Sequence, residues 1–222
     1  MRHGCFFDLD GTLADTAPDL AAALNRILSE EGRAPLPYAA IRPTVSHGAL
    51  AMVRHAFGER TDEARLLPLR DRLVAYYAAD IAAETRLFDG MQALLEALEK
   101  AGIPWGVVTN KPGYLTTPLL AALGLAQRCS AVVSGDTLTV SKPDPAPLLH
   151  ACRLAGCDPQ ASWYVGDAER DIEAARRAGM GSVLALYGYL DTGEAWSCWR
   201  ADHTVERPDQ LPQLLLRSYS RP

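Results

Sequence analysis

Asp8 and Asp10 stand two residues apart in the run Asp8-Leu9-Asp10-Gly11-Thr12-Leu13, at the end of a short apolar segment. In extended chain, residues two apart face the same side, so both carboxylates, together with Thr12, can address one site. Carboxylates held that close repel one another unless protons or a cation intervene, which makes the pair costly as mere structure. A bound metal relieves that cost. Farther along, Thr109-Asn110-Lys111-Pro112 offers a hydroxyl and an amide at a strand end. Ser141-Lys142-Pro143-Asp144-Pro145 uses prolines to fix the approach to a helix, so that Lys142 can present a fixed ammonium. Gly166-Asp167 follows another apolar run, with Asp171 four residues on at a helix start, where the dipole favours a carboxylate.

Taken singly, each group has a structural reading. Gly166-Asp167 reads as a turn, Asp171 as a helix-start residue, Thr109 as a polar strand end and Lys142 as a solvated lysine. Their shared position argues otherwise. All four fall at the carboxyl ends of expected parallel strands, the edge of an open α/β sheet at which ligands bind.

The elements that must hold these groups are legible from periodicity. Apolar runs at 4–9, 104–109, 131–134, 163–165 and 182–186 read as buried strands. Segments 91–101, 116–123, 145–155 and 172–178 repeat Leu, Ala and Met at helical spacing, so the chain reads as an α/β protein, a parallel sheet with helices on both faces. The gap between the first two strands is too long for one crossover helix, and nearly all of it is helical in pattern. Helices over 20–31, 49–57 and 66–83, separated by turns at 32–37 and 42–48, predict an inserted all-helical domain over 16–85. The catalytic core is then 1–15 and 86–222.

Bulk properties narrow the partners. The chain has 222 residues, 48% hydrophobic and 22% charged, as expected of a globular protein with a sizeable core. A net charge of -5 argues against nucleic acid or an anionic membrane as partner. Five scattered cysteines lack the spacing of a zinc site or a disulfide framework and predict reduced thiols. With neither a signal-peptide pattern nor a spanning segment, a cytoplasmic protein is expected.

At this point the sequence resembles the haloacid dehalogenase-like phosphatases, more narrowly their phosphoglycolate phosphatase-like branch. The likeness covers essentially the whole chain. The family's D-x-D-G-T motif is matched by Asp8 to Thr12, its strand-terminal Thr by Thr109, its Ser-Lys-Pro lysine by Lys142, and its G-D-x-x-x-D by Gly166, Asp167 and Asp171. The resemblance implies a Rossmann-like core with the helical insertion as a mobile cap, and a Mg2+-dependent phosphomonoester hydrolase. Asp8 would attack phosphorus and form an aspartyl phosphate. Asp10 would protonate the leaving alkoxide and later activate water. By the same resemblance the Asp8 carboxylate, the Asp10 backbone carbonyl and Asp167 hold Mg2+, while Asp171 orients them or a bound water. Thr109, the Asn110 backbone and Lys142 bind the transferring phosphoryl oxygens.

The segment Arg42-Pro43-Thr44-Val45-Ser46-His47-Gly48 is the candidate reader of the rest of the substrate, a small, carboxylated phosphorylated metabolite. Its backbone amides, those of Gly48 included, suit an anion; Ser46 or His47 can donate hydrogen bonds, and Arg42 can pair with a carboxylate. An interhelical turn capped by Ser46 is the competing reading. Tyr187 and Tyr189 are expected to pack the sheet edge, and Trp196 and Trp199 to cover an apolar surface. Within the branch, residues 46–53, 87–91 and 105–108 look like those of N-acetylmuramic acid 6-phosphate phosphatases. A phosphosugar mutase using the same Asp8 chemistry, or a non-catalytic module on the same fold, are the alternatives. A dehalogenase is disfavoured, since it needs no second acid such as Asp10.

Overall fold

The computed structural model describes residues 2–191, 193 and 195–217. Its strands, in chain order, are β1 (Cys5–Phe7), β2 (Ala14–Asp15), β3 (Arg86–Leu87), β4 (Trp105–Val108), β5 (Ala131–Val133), β6 (Trp163–Gly166), β7 (Gly181–Ala185) and β8 (His203–Val205). The helices are α1 (Ala17–Glu30), α2 (Tyr38–Ile41), α3 (Ala49–Phe57), α4 (Glu63–Ala79), α5 (Met91–Lys100), α6 (Gly113–Ala122), α7 (Ala146–Ala155), α8 (Glu169–Ala178) and α9 (Leu211–Leu215).

Six strands form a parallel sheet in the order β5-β4-β1-β6-β7-β8. β1 lies between β4 and β6, with Cys5 in register with both Trp105 and Trp163. After β1 the chain builds outward through β4 and β5, then returns to the other side of β1 with β6. The strand order therefore reverses around β1, and the crevice beyond its carboxyl end is where such sheets bind ligands.

Alternation along β1 divides the core. Cys5 and Phe7 face the cluster of Leu94, Leu98, Leu119 and Leu211, whereas Phe6 faces Leu148, Ala151 and Ala174. Fully burying one such large apolar side chain contributes roughly 1.5–3 kcal/mol. A separate apolar cluster joins α1, α3 and α4 through Leu24, Ile27, Val53, Leu66 and Leu73, and takes in Leu115 and Tyr189 from the sheet side. The architecture is thus a Rossmann-like α/β core carrying a helical cap.

All five expected strands are present, and the expected helices differ mainly at their ends. α8 begins at Glu169 rather than 172, which places Asp171 in its first turn. α1 begins at Ala17, with Pro18 in its first turn, where a missing N–H costs nothing. Sequence reading missed the edge strand β8, the short helices α2 and α9, and β2 and β3, which pair antiparallel (Ala14 with Leu87, Asp15 with Arg86) where the chain leaves and re-enters the core. Asp19 ties the same neck, accepting from the Glu84 and Thr85 N–H groups (each 2.9 Å) and the Thr85 hydroxyl (2.6 Å). All five cysteines are free; Cys5, Cys152 and Cys157 are buried, and Cys198 is exposed. No described helix is long and apolar enough to cross a membrane.

Candidate active site

Asp8 follows β1 directly. Its N–H donates to the Val165 carbonyl at 2.9 Å, which keeps the chain extended past the strand, and the residue is 3% exposed. Gly11 then turns the chain with φ +80°, and a Cβ there would lie 2.2 Å from Asp167 Oδ2. Only glycine allows that approach. Thr12 exploits it, donating from Oγ1 to Asp167 Oδ1 at 3.0 Å.

Thr109 follows β4 directly, and its Oγ1 accepts the Lys111 N–H at 3.1 Å. The Asn110 side chain grips the backbone of Lys142 at both groups, donating to its carbonyl and accepting from its N–H, each at 3.0 Å. That grip fixes the loop bearing the lysine. The Lys142 ammonium is buried 2.9 Å from Asp8 Oδ1 and 2.8 Å from Asp171 Oδ1, and donates to the Val108 carbonyl (3.0 Å) and the Tyr164 hydroxyl (2.7 Å). An ammonium has three protons, so these four acceptors saturate it. Lys142 therefore stands behind Asp8 rather than on the cavity wall.

β6 delivers Asp167 and, one helical turn later, Asp171, whose Oδ2 accepts the Ala168 N–H at 3.0 Å. Carboxylate oxygens of Asp8, Asp167 and Asp171 lie within 4.8 Å of one another, all buried. Burial, then the charges of Asp8 and Asp171, push Asp167 up to about 7, against a hydrogen bond from the Tyr189 N–H. Burial also raises Asp171, opposed by Lys142. Three buried carboxylates against the Lys142 ammonium and the Arg170 guanidinium still leave an excess of negative charge. Hard oxygen donors in such excess fit a divalent cation.

Beyond Asp8 opens a cavity of ≈ 880 Å³ between core and cap. Asp8, Asp10, Thr109, Asn110 and Arg170 line its core side; Ser46, His47 and Gly48 line its cap side, with an apolar wall that includes Leu50, Leu73 and Val74. Burial disfavours charge on Arg170, yet the attraction of Asp171, Asp8 and Asp167 outweighs it and raises its pKa. Asp10 Oδ1 accepts from Lys111 Nζ at 2.7 Å and from Thr16 Oγ1 at 2.5 Å, which orients the carboxylate. Burial disfavours the Lys111 charge, but Asp10 and Tyr77 more than offset it and raise its pKa.

Asp8, Asp10, Thr109, Asn110, Lys142, Asp167 and Asp171 thus converge at one sheet edge, as their positions in sequence predict. Ser46, His47 and Gly48 reach the same cavity, and Ser46 donates to Asp167 Oδ2 at 3.1 Å. Arg42 is the exception. Its guanidinium donates to the carbonyls of Gly188 (2.8 Å) and Tyr187 (2.9 Å) and stacks over the Tyr189 ring at 4.9 Å, away from the cavity wall. With both terminal nitrogens engaged by these carbonyls, the Arg42 fork joins cap to core and does not line the cavity.

Lys111, Tyr77 and Arg170 were not singled out from sequence as site residues. Tyr189 packs as expected, and its hydroxyl also accepts the N–H groups of Thr16 (2.6 Å) and Ala17 (2.9 Å) while donating to Asp15 Oδ1 (2.8 Å). Adjacency of Lys111 to Thr109-Asn110 was the one available signal.

Comparison with known proteins identifies the family. A family model described as haloacid dehalogenase-like hydrolase matches residues 5–185. The chain is 47% identical over 205 residues to a phosphoglycolate phosphatase of Xanthomonas campestris pv. campestris, covering 92% of each chain. It is 42% identical over 212 residues to an N-acetylmuramic acid 6-phosphate phosphatase of Pseudomonas aeruginosa, covering 96% of this chain and 94% of the other. A crystal structure of a predicted phosphoglycolate phosphatase from Haemophilus somnus superposes with a TM-score of 0.84 at 28% identity, covering 96% of this chain and 97% of that one.

Proposed function

Because this chain belongs to the haloacid dehalogenase-like hydrolase family and is a phosphomonoester hydrolase, we propose that it is a Mg2+-dependent enzyme acting through an aspartyl phosphate on Asp8. The observation that carries this reading is the buried Asp8 carboxylate at the mouth of the cavity, braced by Lys142 at 2.9 Å. Such bracing fixes the direction in which the carboxylate points, which is what a nucleophile needs.

Asp8 displaces the alkoxide from phosphorus, forming a P–O bond to its own carboxylate as the ester P–O bond breaks. Asp10 gives its proton to the leaving oxygen and then takes one from the water that attacks the phosphoryl group, freeing Asp8 and releasing inorganic phosphate. Acid–base help of this kind is worth ~10²- to 10⁴-fold. Thr109 and the Asn110 backbone hold the phosphoryl oxygens. Lys142 acts on them from behind Asp8, balancing the charge of Asp8 and Asp171. Asp8, the Asp10 carbonyl and Asp167 would hold Mg2+, with Asp171 and Ser46 orienting the set. When bound, the ion supplies positive charge against the developing phosphoryl charge.

We assign residues 16–85 to the cap that encloses the substrate. The candidate substrates are 2-phosphoglycolate and N-acetylmuramic acid 6-phosphate, both carboxylated, as the names of the similar enzymes suggest. Phosphate release from a panel of monoesters with Mg2+ tests the reading. Transfer of the phosphoryl group to a sugar without phosphate release would favour a mutase, and no turnover of any ester would favour a binding module.

A further inference from the structure

The cavity wall carries a polar atom that the protein itself leaves unused. Tyr77, near the end of α4, is 1% exposed and lines the cavity with Asp10 and Lys111; its hydroxyl neighbours the Lys111 ammonium, and its O–H finds no acceptor in the protein. A buried hydroxyl without a partner is costly, and at a binding site it marks a place where a ligand supplies the missing acceptor. Beside it, the Lys111 ammonium stands 4.6 Å from the Tyr77 ring centroid and 2.7 Å from Asp10 Oδ1. The cap wall nearby is apolar, with Leu73 and Val74 on the same helix. Arg42, the other candidate for an anion, is engaged by the Tyr187 and Gly188 carbonyls.

We infer that the Tyr77 hydroxyl and the Lys111 ammonium form the subsite that receives the carboxylate of the leaving group. This rests on the phosphatase reading above, in which Asp10 protonates the leaving oxygen. The remaining atoms of the leaving group then lie on the cavity side of Asp10, where these two donors stand. Lys111 has N–H groups beyond the one used by Asp10, and Tyr77 has an unused O–H, so a carboxylate would satisfy both. The two donors are neighbours but come from different parts of the chain, Tyr77 from the cap and Lys111 from the core. A carboxylated substrate is thereby held across the closure, while an uncharged leaving group is not.

The test is steady-state kinetics of the full chain with Mg2+ on 2-phosphoglycolate, N-acetylmuramic acid 6-phosphate and phenyl phosphate, for the wild type, Tyr77→Phe and Lys111→Met. Tyr77→Phe is expected to lose at least roughly tenfold more kcat/KM on a carboxylated ester than on phenyl phosphate, mainly through KM. Its thermal midpoint should change little, because the Tyr77 O–H donates to no group in the protein. Lys111→Met should lower kcat on every ester through Asp10 and shift selectivity in the same direction. An unchanged selectivity ratio in Tyr77→Phe overturns the subsite, as does a wild type that hydrolyses phenyl phosphate but neither carboxylated ester. Hydrolysis of none of the three overturns the phosphatase reading itself, and the subsite with it.

Discussion

The Lys142 ammonium lies 2.9 Å from Oδ1 of Asp8, with its side chain wholly buried and that of Asp8 only 5% exposed. The same ammonium is 2.8 Å from Asp171, so one cation holds two carboxylates that would otherwise repel. Lys142→Met should therefore cost stability as well as turnover. Breaking a buried pair by removing one partner costs about 3–5 kcal/mol, which urea unfolding would read directly. A variant as stable and active as the wild type would remove Lys142 from the account.

Magnesium should bind where Asp8, Asp167 and Asp171 crowd together. Chelation is expected to abolish turnover and Mg2+ to restore it. Mg2+ should also raise the thermal midpoint of the wild type, since a ligand that binds only the folded state stabilises it by mass action. In Asp167→Asn that rise should shrink or vanish. An equal rise in both proteins would move the ion elsewhere.

Much of this site was legible because its parts sit where short apolar strands stop. Asp8, Thr109 and Asp167 each follow a run whose burial demands a strand, and parallel strands that alternate with helices present their carboxyl ends on one edge. β2 and β3 escaped because two-residue strands carry no period. Lys111 and Tyr77 escaped for another reason: their roles arise from contacts made only when cap meets core, and neither helix pattern nor local spacing encodes that distance. The contacts of Arg42 were hidden on the same account. Its charge suggested an anion, but the fold supplies two carbonyls from residues 187 and 188 that fit its fork first.

Arg42→Ala should loosen the contact between cap and core without altering substrate choice. Its lost bonds are to the Tyr187 and Gly188 carbonyls, so kcat/KM should fall by a similar factor for phenyl phosphate and for carboxylated esters. Hydrogen exchange should rise around residues 187–189. A loss confined to carboxylated esters would return Arg42 to the substrate.

Gly188 tests the packing that places Asp167. A Cβ at that position would lie 2.2 Å from the Asp167 Cβ and 2.6 Å from the Gly11 carbonyl oxygen. Gly188→Ala must displace one or the other, and a misplacement near 1 Å can cost about 10²-fold in turnover. Weaker Mg2+ binding should accompany the loss. Wild-type kinetics in the folded variant would show that the loop yields without moving Asp167.

The nucleophile itself is tested by Asp8→Asn, which keeps the shape of the side chain and removes its charge. Turnover of every phosphate ester should vanish while circular dichroism and the unfolding transition remain those of a folded protein. Phosphate release near the wild-type rate by that folded variant would contradict covalent catalysis by Asp8.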